Sequence, residues 1–268
     1  MIKISASQIK TYRACPTKWS YDKLSGLKSP KGSGKGAAFG SMVHTHLERY
    51  GLKEMLPPSD EPAGKVALRV IAGGHVPIGV DGVYYEGMDP VGRMAPLCRN
   101  SLPRPGMFFL SSGREDVTLV GYIDQLDVRD PTVPVVVDYK TTSNLKYALT
   151  TDELMSDPQA VLYALYAFAT HPAQKVIVRF VYVHVKNRTE PGKVVLREIT
   201  YTPESILPYT AGLVSDVSAM ADAHATRPDM PKNTERCYDY GGCPWMSVCK
   251  PIRGEPLPDG GTIRIRRK

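Results

Sequence analysis

The stretch VVVDYKTTS, residues 135–143, decides how the rest of the chain is read. Three consecutive valines suit a strand buried on both faces, as in the middle of a sheet. Side chains alternate along a strand, so Asp138 and Lys140 point one way while Val137 and Tyr139 point the other. Charges at the end of a buried strand are costly unless they pair or bind a cation. Upstream, residues 117–129 and 133–140 are β-rich runs separated by Asp130-Pro131-Thr132, which predicts an antiparallel hairpin. The hairpin places Asp124, in Gly121-Tyr122-Ile123-Asp124, on the neighbouring strand, where two carboxylates can converge on a hard divalent ion. An isolated D-x-K is more often an ordinary ion pair, so the reading depends on what surrounds it.

Asp157-Pro158 supplies an N-cap and a first-turn proline to a helix over 159–170, and Gln159 and Tyr163 share one of its faces. Residues 37–50 carry Phe39, Met42, Val43, Leu47 and Tyr50 at helical spacing. On that amphipathic helix His46 falls in the apolar stripe as a core histidine, and His44 lies at its flank as a possible ligand. Strands are predicted at 175–186 and 193–201, and a helix at 203–225 with Ile206, Leu213, Val217 and Met220 inward. Ser5 followed by Gln8 is the capping-box pattern for a helix over 5–14. Lys28 to Gly36 reads as a linker; Gly34-Lys35 is followed by Gly36, not Ser or Thr, which excludes a phosphate loop. Residues 51–116, rich in Pro and Gly, are read as an irregular insertion with short strands near 82–86 and 107–111. The order of helices and strands predicts an α/β fold with a central mixed sheet flanked by helices.

The chain has 268 residues, 42% hydrophobic and 23% charged, which excludes disorder as a whole. Its 23 Gly and 23 Pro argue against a helical bundle or coiled coil. A formal charge of +7 and a pI near 9.1 favour polyanionic partners, nucleic acid first. No signal-like or membrane-spanning run is present, so a cytoplasmic location is expected. The chemistry that suits paired carboxylates and a lysine in a basic protein is phosphodiester hydrolysis with Mg²⁺ or Mn²⁺.

Cys237, Cys243 and Cys249 stand as C-x5-C-x5-C among turn residues, and Cys15 is the candidate fourth ligand of a shared metal centre, leaving Cys98 spare. Four cysteines accept structural Zn or a [4Fe–4S] cluster, and their spacing does not choose. Trp19 and Trp245, each near a ligand cysteine, are expected to shield that centre. The basic tail from Arg264 to Lys268 reads as a solvated end with some capacity for phosphate contacts.

Gly40 to His44 (G-x3-H), Gly121 to Asp124 (G-x2-D), Asp138-Tyr139-Lys140 (D-x-K) and Gln159 to Tyr163 (Q-x3-Y) follow in the order found in RecB-like nucleases of the PD-(D/E)XK superfamily, which the chain resembles. The resemblance implies a restriction-endonuclease-like sheet, with His44, Asp124, Asp138 and the Tyr139 carbonyl as metal ligands. It implies Lys140 as the catalytic lysine, with Gln159 and Tyr163 supporting. Many relatives carry Glu where this chain has Asp138. One cysteine near Ser5, Ser7 and Tyr12 and three near the C-terminus resemble the iron–sulfur branch, which includes the AddB nuclease domain and CRISPR-associated RecB-like exonucleases. The implied layout is one nuclease domain over 1–268, with 1–30 and 226–253 forming an Fe–S-stabilised cap and 254–268 a basic tail. The implied activity is exonucleolytic cutting of DNA, preferring single-stranded ends, in recombination, repair or phage DNA processing. The rivals are a non-catalytic DNA-binding adaptor that works with a helicase or integrase, and a zinc-stapled nucleic-acid-binding protein.

Overall fold

The computed structural model describes residues 1–27, 35–85, 107–187, 190–226, 229–238 and 242–249. Cys98, the tail 254–268 and most of the 28–36 linker lie outside the described residues.

The central sheet has five strands: β2 (Val83–Tyr85), β5 (Gln125–Asp127), β6 (Val135–Thr142), β7 (Val176–Lys186) and β8 (Glu190–Tyr201), hydrogen-bonded in the order β2-β5-β6-β7-β8. β5 and β6 are antiparallel, with Gln125 opposite Val137 and Asp127 opposite Val135. β6 and β7 are parallel, with Asp138 opposite Phe180 and Lys140 opposite Tyr182. A parallel pair needs a crossover, and α5 (Thr151–Met155) and α6 (Pro158–Thr170) supply it. A second sheet sets β1 (Ile2–Ser5) parallel to β4 (Val117–Tyr122), with β3 (Met107–Ser111) antiparallel to β4 on its other side.

The two faces of β6 feed two cores. Val136 joins Phe180, Leu162 and Ala164 in the larger core, which also receives Ile9 of α1 (Ala6–Ala14), Trp19 of α2 (Pro16–Lys23) and Val217 of α7 (Leu207–Thr226). Val137 and Tyr139 join Val43 and Leu47 of α3 (Lys35–Gly51) and Val66, Ala67 and Val70 of α4 (Pro62–Ala72). Asp138 and Lys140, alternating with these, share a face with Val136 and so look toward α6.

Four expectations need correction. The run 117–129 is not one strand: it leaves the small sheet at Tyr122 and enters the large one at Gln125, because β4 pairs with β1 and β3 while β5 pairs with β6. Asp124 therefore sits in the break between strands, not within a hairpin arm. The stretch 51–116 is not wholly irregular, since α4 buries Ala63, Val66, Ala67 and Val70 completely. The capping box at Ser5 does not form: Ser5 Oγ bonds Ser7 Oγ at 2.9 Å and Gln8 Nε2 donates to the Lys3 carbonyl. The helix expected from 203 begins at Leu207. Among the described residues, no helix is long and apolar enough to cross a membrane.

Candidate active site

The strand break and the end of β6 bring the charged groups together. Asp138 is 1% exposed at the centre of the sheet. Its Oδ1 accepts from Gln159 Nε2 at 2.9 Å and lies 2.8 Å from the Tyr163 hydroxyl. That hydroxyl is also 2.6 Å from the Tyr122 carbonyl, which ties the end of β4 to α6. Both groups reach Asp138 because the Asp157 cap fixes where α6 begins: its carboxylate accepts from the backbone N–H of Gln159 and of Ala160. Gln159 and Tyr163, four apart, then project from one face.

The other oxygen of Asp138 is left differently. Lys140 Nζ lies 2.6 Å from Oδ2, a close ion pair that matches this oxygen in charge. Asp124 mirrors this arrangement: Oδ2 accepts from the Tyr139 backbone N–H at 2.8 Å and Oδ1 meets His44 Nδ1 at 3.1 Å. His44 reaches Asp124 because α3 approaches β6 closely. A Cβ on Gly40, one turn earlier, would stand 3.1 Å from Thr141 Oγ1. The Tyr139 ring points to the opposite face, where its hydroxyl bonds Gln125 and the His75 carbonyl.

The electrostatics follow from burial. Burial opposes the charged form of His44, but the charge and hydrogen bond of Asp124, with help from Asp138, overcome it and raise the imidazole to about 9. Burial would raise the Asp124 carboxyl; the His44 charge and hydrogen bond and Lys140 hold it below its ordinary value. For Asp138 burial prevails and the carboxyl is raised, despite Lys140. Lys140 is held above its ordinary range because Asp138 and Asp124 outweigh its own burial. Two buried carboxylates thus face two nitrogen cations.

His44, Asp124, Tyr139, Asp138, Lys140, Gln159 and Tyr163, singled out from sequence, are therefore neighbours in space. His46 lies elsewhere, its Nε2 3.2 Å from Glu61. Glu48 is a neighbour that sequence reading missed: burial, Glu54 and Asp124 all push its carboxyl up. Its only signal was the four-residue step from His44. Gln125, a buried amide beneath Tyr139, was also missed. Among the described residues, no three His, Cys, Asp or Glu side chains are arranged as they stand to hold a metal ion.

A family profile described as the PD-(D/E)XK nuclease superfamily matches residues 3–250. The chain belongs to this superfamily. The PD-(D/E)XK match begins in β1, runs through the His44–Tyr163 cluster and ends just beyond Cys249, so all four described cysteines fall within it. Superfamily members are generally nucleases and usually use Mg²⁺ or Mn²⁺. No curated protein matches. A solved structure described as the crystal structure of SSO0001 is similar over 92% of this chain and 85% of its own length, at 13% identity and a TM-score of 0.42, too loose to argue from.

The nuclease's four described cysteines are unpaired and partly buried. Burial raises the Cys237 thiol, and the charges of Cys243, Cys249 and Cys15 raise it further, so all four lie in one neighbourhood. The α1–α2 turn is tied to the C-terminal segment there. Thr17 Oγ1 donates to the Met230 carbonyl at 2.6 Å, Asn233 Nδ2 to the Ala14 carbonyl at 3.0 Å, and Trp245 Nε1 to Asp22 at 2.7 Å. Trp245 stacks on Tyr21 with ring centres 5.3 Å apart.

Proposed function

We propose that this nuclease is a metal-dependent DNA exonuclease that prefers single-stranded ends and carries a [4Fe–4S] cluster on Cys15, Cys237, Cys243 and Cys249. The observation that carries the reading is the charge balance at the end of β6: two buried carboxylates against the His44 and Lys140 cations. A divalent ion brings the same two positive charges, and Asp138 Oδ2, paired with the Lys140 ammonium, is a donor suited to it.

His44, Asp124, Asp138 and the Tyr139 carbonyl would hold Mg²⁺ or Mn²⁺. Bound there, the ion would polarise the phosphodiester and acidify a water. The protein's own part is positioning. Gln159 and Tyr163 fix Asp138 through Oδ1 and leave Oδ2 to Lys140, while the Tyr139 N–H fixes Asp124 through Oδ2. Lys140 Nζ stays protonated beside them and is placed to stabilise charge developing on the phosphate oxygens. The net charge of +7 suits a polyanion. A site this deep in the sheet admits a threaded single strand more readily than a duplex. The resemblance to RecB-like nucleases supports a setting in recombination, repair or phage DNA processing, and a helicase or integrase partner.

The test is cleavage of end-labelled single- and double-stranded DNA in Mn²⁺, Mg²⁺ or EDTA, with anaerobically purified wild type beside Lys140→Ala. Cutting that needs the metal and is lost in the variant is expected. Binding without cutting in every metal would replace the enzyme with the adaptor reading. A colourless preparation with stoichiometric Zn would replace the cluster with zinc.

A further inference from the structure

Asp124 stands where backbone pairing gives out. β4 ends at Tyr122 and β5 begins at Gln125, so Ile123 and Asp124 belong to neither ladder. The antiparallel register of β5 on β6 reaches Gln125 opposite Val137 and stops; carried on, it would set Ile123 opposite Tyr139. In place of that rung the Tyr139 N–H donates to the Asp124 side chain, 2.8 Å from Oδ2. A carboxylate in such a break is placed by the anchors on either side of it.

Both anchors involve tyrosine hydroxyls. Before the break, the Tyr163 hydroxyl of α6 lies 2.6 Å from the Tyr122 carbonyl. After it, the Tyr139 hydroxyl donates to Gln125 Oε1 and lies 3.0 Å from the His75 carbonyl, just past α4. Tyr139 and Gln125 are 2% and 3% exposed. A buried phenol and amide cost stability unless they bond each other, and two apolar side chains would fill the same space without that cost. Tyr139 thus grips the break at two successive residues, through its N–H at Asp124 and its hydroxyl at Gln125. By strand alternation the hydroxyl is on the face away from Asp138 and Lys140, so the chemistry itself makes no use of it.

We propose that the Tyr139 hydroxyl and the Gln125 amide are a positioning pair that fixes the Asp124 carboxylate relative to the Tyr139 carbonyl, and with it the protein's affinity for a divalent ion. The proposal rests on the metal-dependent reading of this same site. Neither side-chain group touches the ion or the substrate; both act through the backbone that carries the ligands.

The experiment titrates the full, anaerobically purified chain with Mn²⁺ alone, without DNA, reading free Mn²⁺ by electron paramagnetic resonance. Melting curves are taken on each variant and cleavage is assayed separately. Binding at the site is the part that Asp124→Asn removes. Gln125→Met keeps the length of the side chain and leaves the Tyr139 hydroxyl its His75 carbonyl, so the variant is expected to melt like wild type while its Mn²⁺ affinity falls about 10–100-fold. Tyr139→Phe is expected to lose affinity by a similar factor, and the double variant by no more than either change alone, because both break one bond. Affinity within twofold of wild type in both single variants overturns the pair. So does a loss of affinity confined to variants that have also lost their melting transition, or a wild type with no Mn²⁺ binding that Asp124→Asn removes. If wild type cuts DNA in Mn²⁺ while both variants keep their affinity, the pair falls and the nuclease reading stands. If affinity falls as expected but wild type cuts nothing in any metal, the nuclease reading falls and the pair stands.

Discussion

Asp138 is a residue whose surroundings work against stability. It is buried, and burial raises its carboxyl even though Lys140 Nζ lies 2.6 Å from one oxygen. Active sites commonly hold such groups at the expense of stability. Asp138→Asn keeps a hydrogen-bonding side chain but removes the charge, so in EDTA it should melt above wild type while cutting no DNA; a lower melting temperature would count against this account. Lys140→Ala should lower cutting by about 10²–10⁴-fold yet stay folded, because Asp138 can take up a proton when its cation is removed. Circular dichroism beside the cleavage assay separates loss of chemistry from loss of fold. His44 gives a pH dependence. Its imidazole is raised to about 9 from an ordinary 6.5, so in EDTA its pairing with Asp124 stabilises the fold fully below about pH 6.5 and is lost as pH rises through about 9. The difference in melting temperature between wild type and His44→Asn should therefore shrink from pH 6 to pH 10; a constant difference would show that the pairing does not titrate as described.

At the scale of elements, α6 is the part on which the site depends. Its start is set by Asp157, which caps two backbone N–H groups and meets Lys10 Nζ at 2.7 Å. Asp157→Ala should cost about 1–2 kcal/mol, mostly from the cap since Lys10 is partly exposed, and should also slow cutting by loosening Gln159 and Tyr163. Denaturant unfolding with parallel kinetics checks both parts; a stability loss with unchanged kinetics would show that the helix start does not govern the site. α6 was legible because Asp-Pro followed by an apolar run is a strong local start signal, and β6 was legible because its valines and alternating charges agree on one pattern. α4 was hidden by its surroundings. Ala63, Val66, Ala67 and Val70 have helical spacing, but Pro and Gly on both sides drew the reading toward a loop. The break at Ile123-Asp124 left no local mark, since either side reads as strand; what divides them is β1, far away in sequence, pairing with β4 alone. The D-x-K and Q-x3-Y steps were visible as spacings, whereas Glu48 looks like any exposed helix glutamate until α3 is laid beside the strand break.

At the scale of the whole molecule, the first 25 residues and the last described 20 fasten one corner. Thr17, Ala14 and Asp22 are bonded to Met230, Asn233 and Trp245, with the four cysteines among them. If those thiolates share a cluster, Cys243→Ala should yield protein with little bound iron and a melting temperature lower by several degrees, about 2–4 °C for each kcal/mol lost in a chain of this size. Iron analysis with calorimetry reads this, and an unchanged melting curve would mean that the thiols staple nothing. The same corner has a consequence for how the protein is made. His44, both carboxylates, Lys140, Gln159 and Tyr163 are all joined before β7 and leave the ribosome ahead of it, and β7 can close the sheet once it follows. α1 and α2 wait for Met230, Asn233 and Trp245, which are made much later. The chemical groups are thus synthesised well before the segment that fastens α1 and α2, so vectorial synthesis delays the finished corner until that segment has followed.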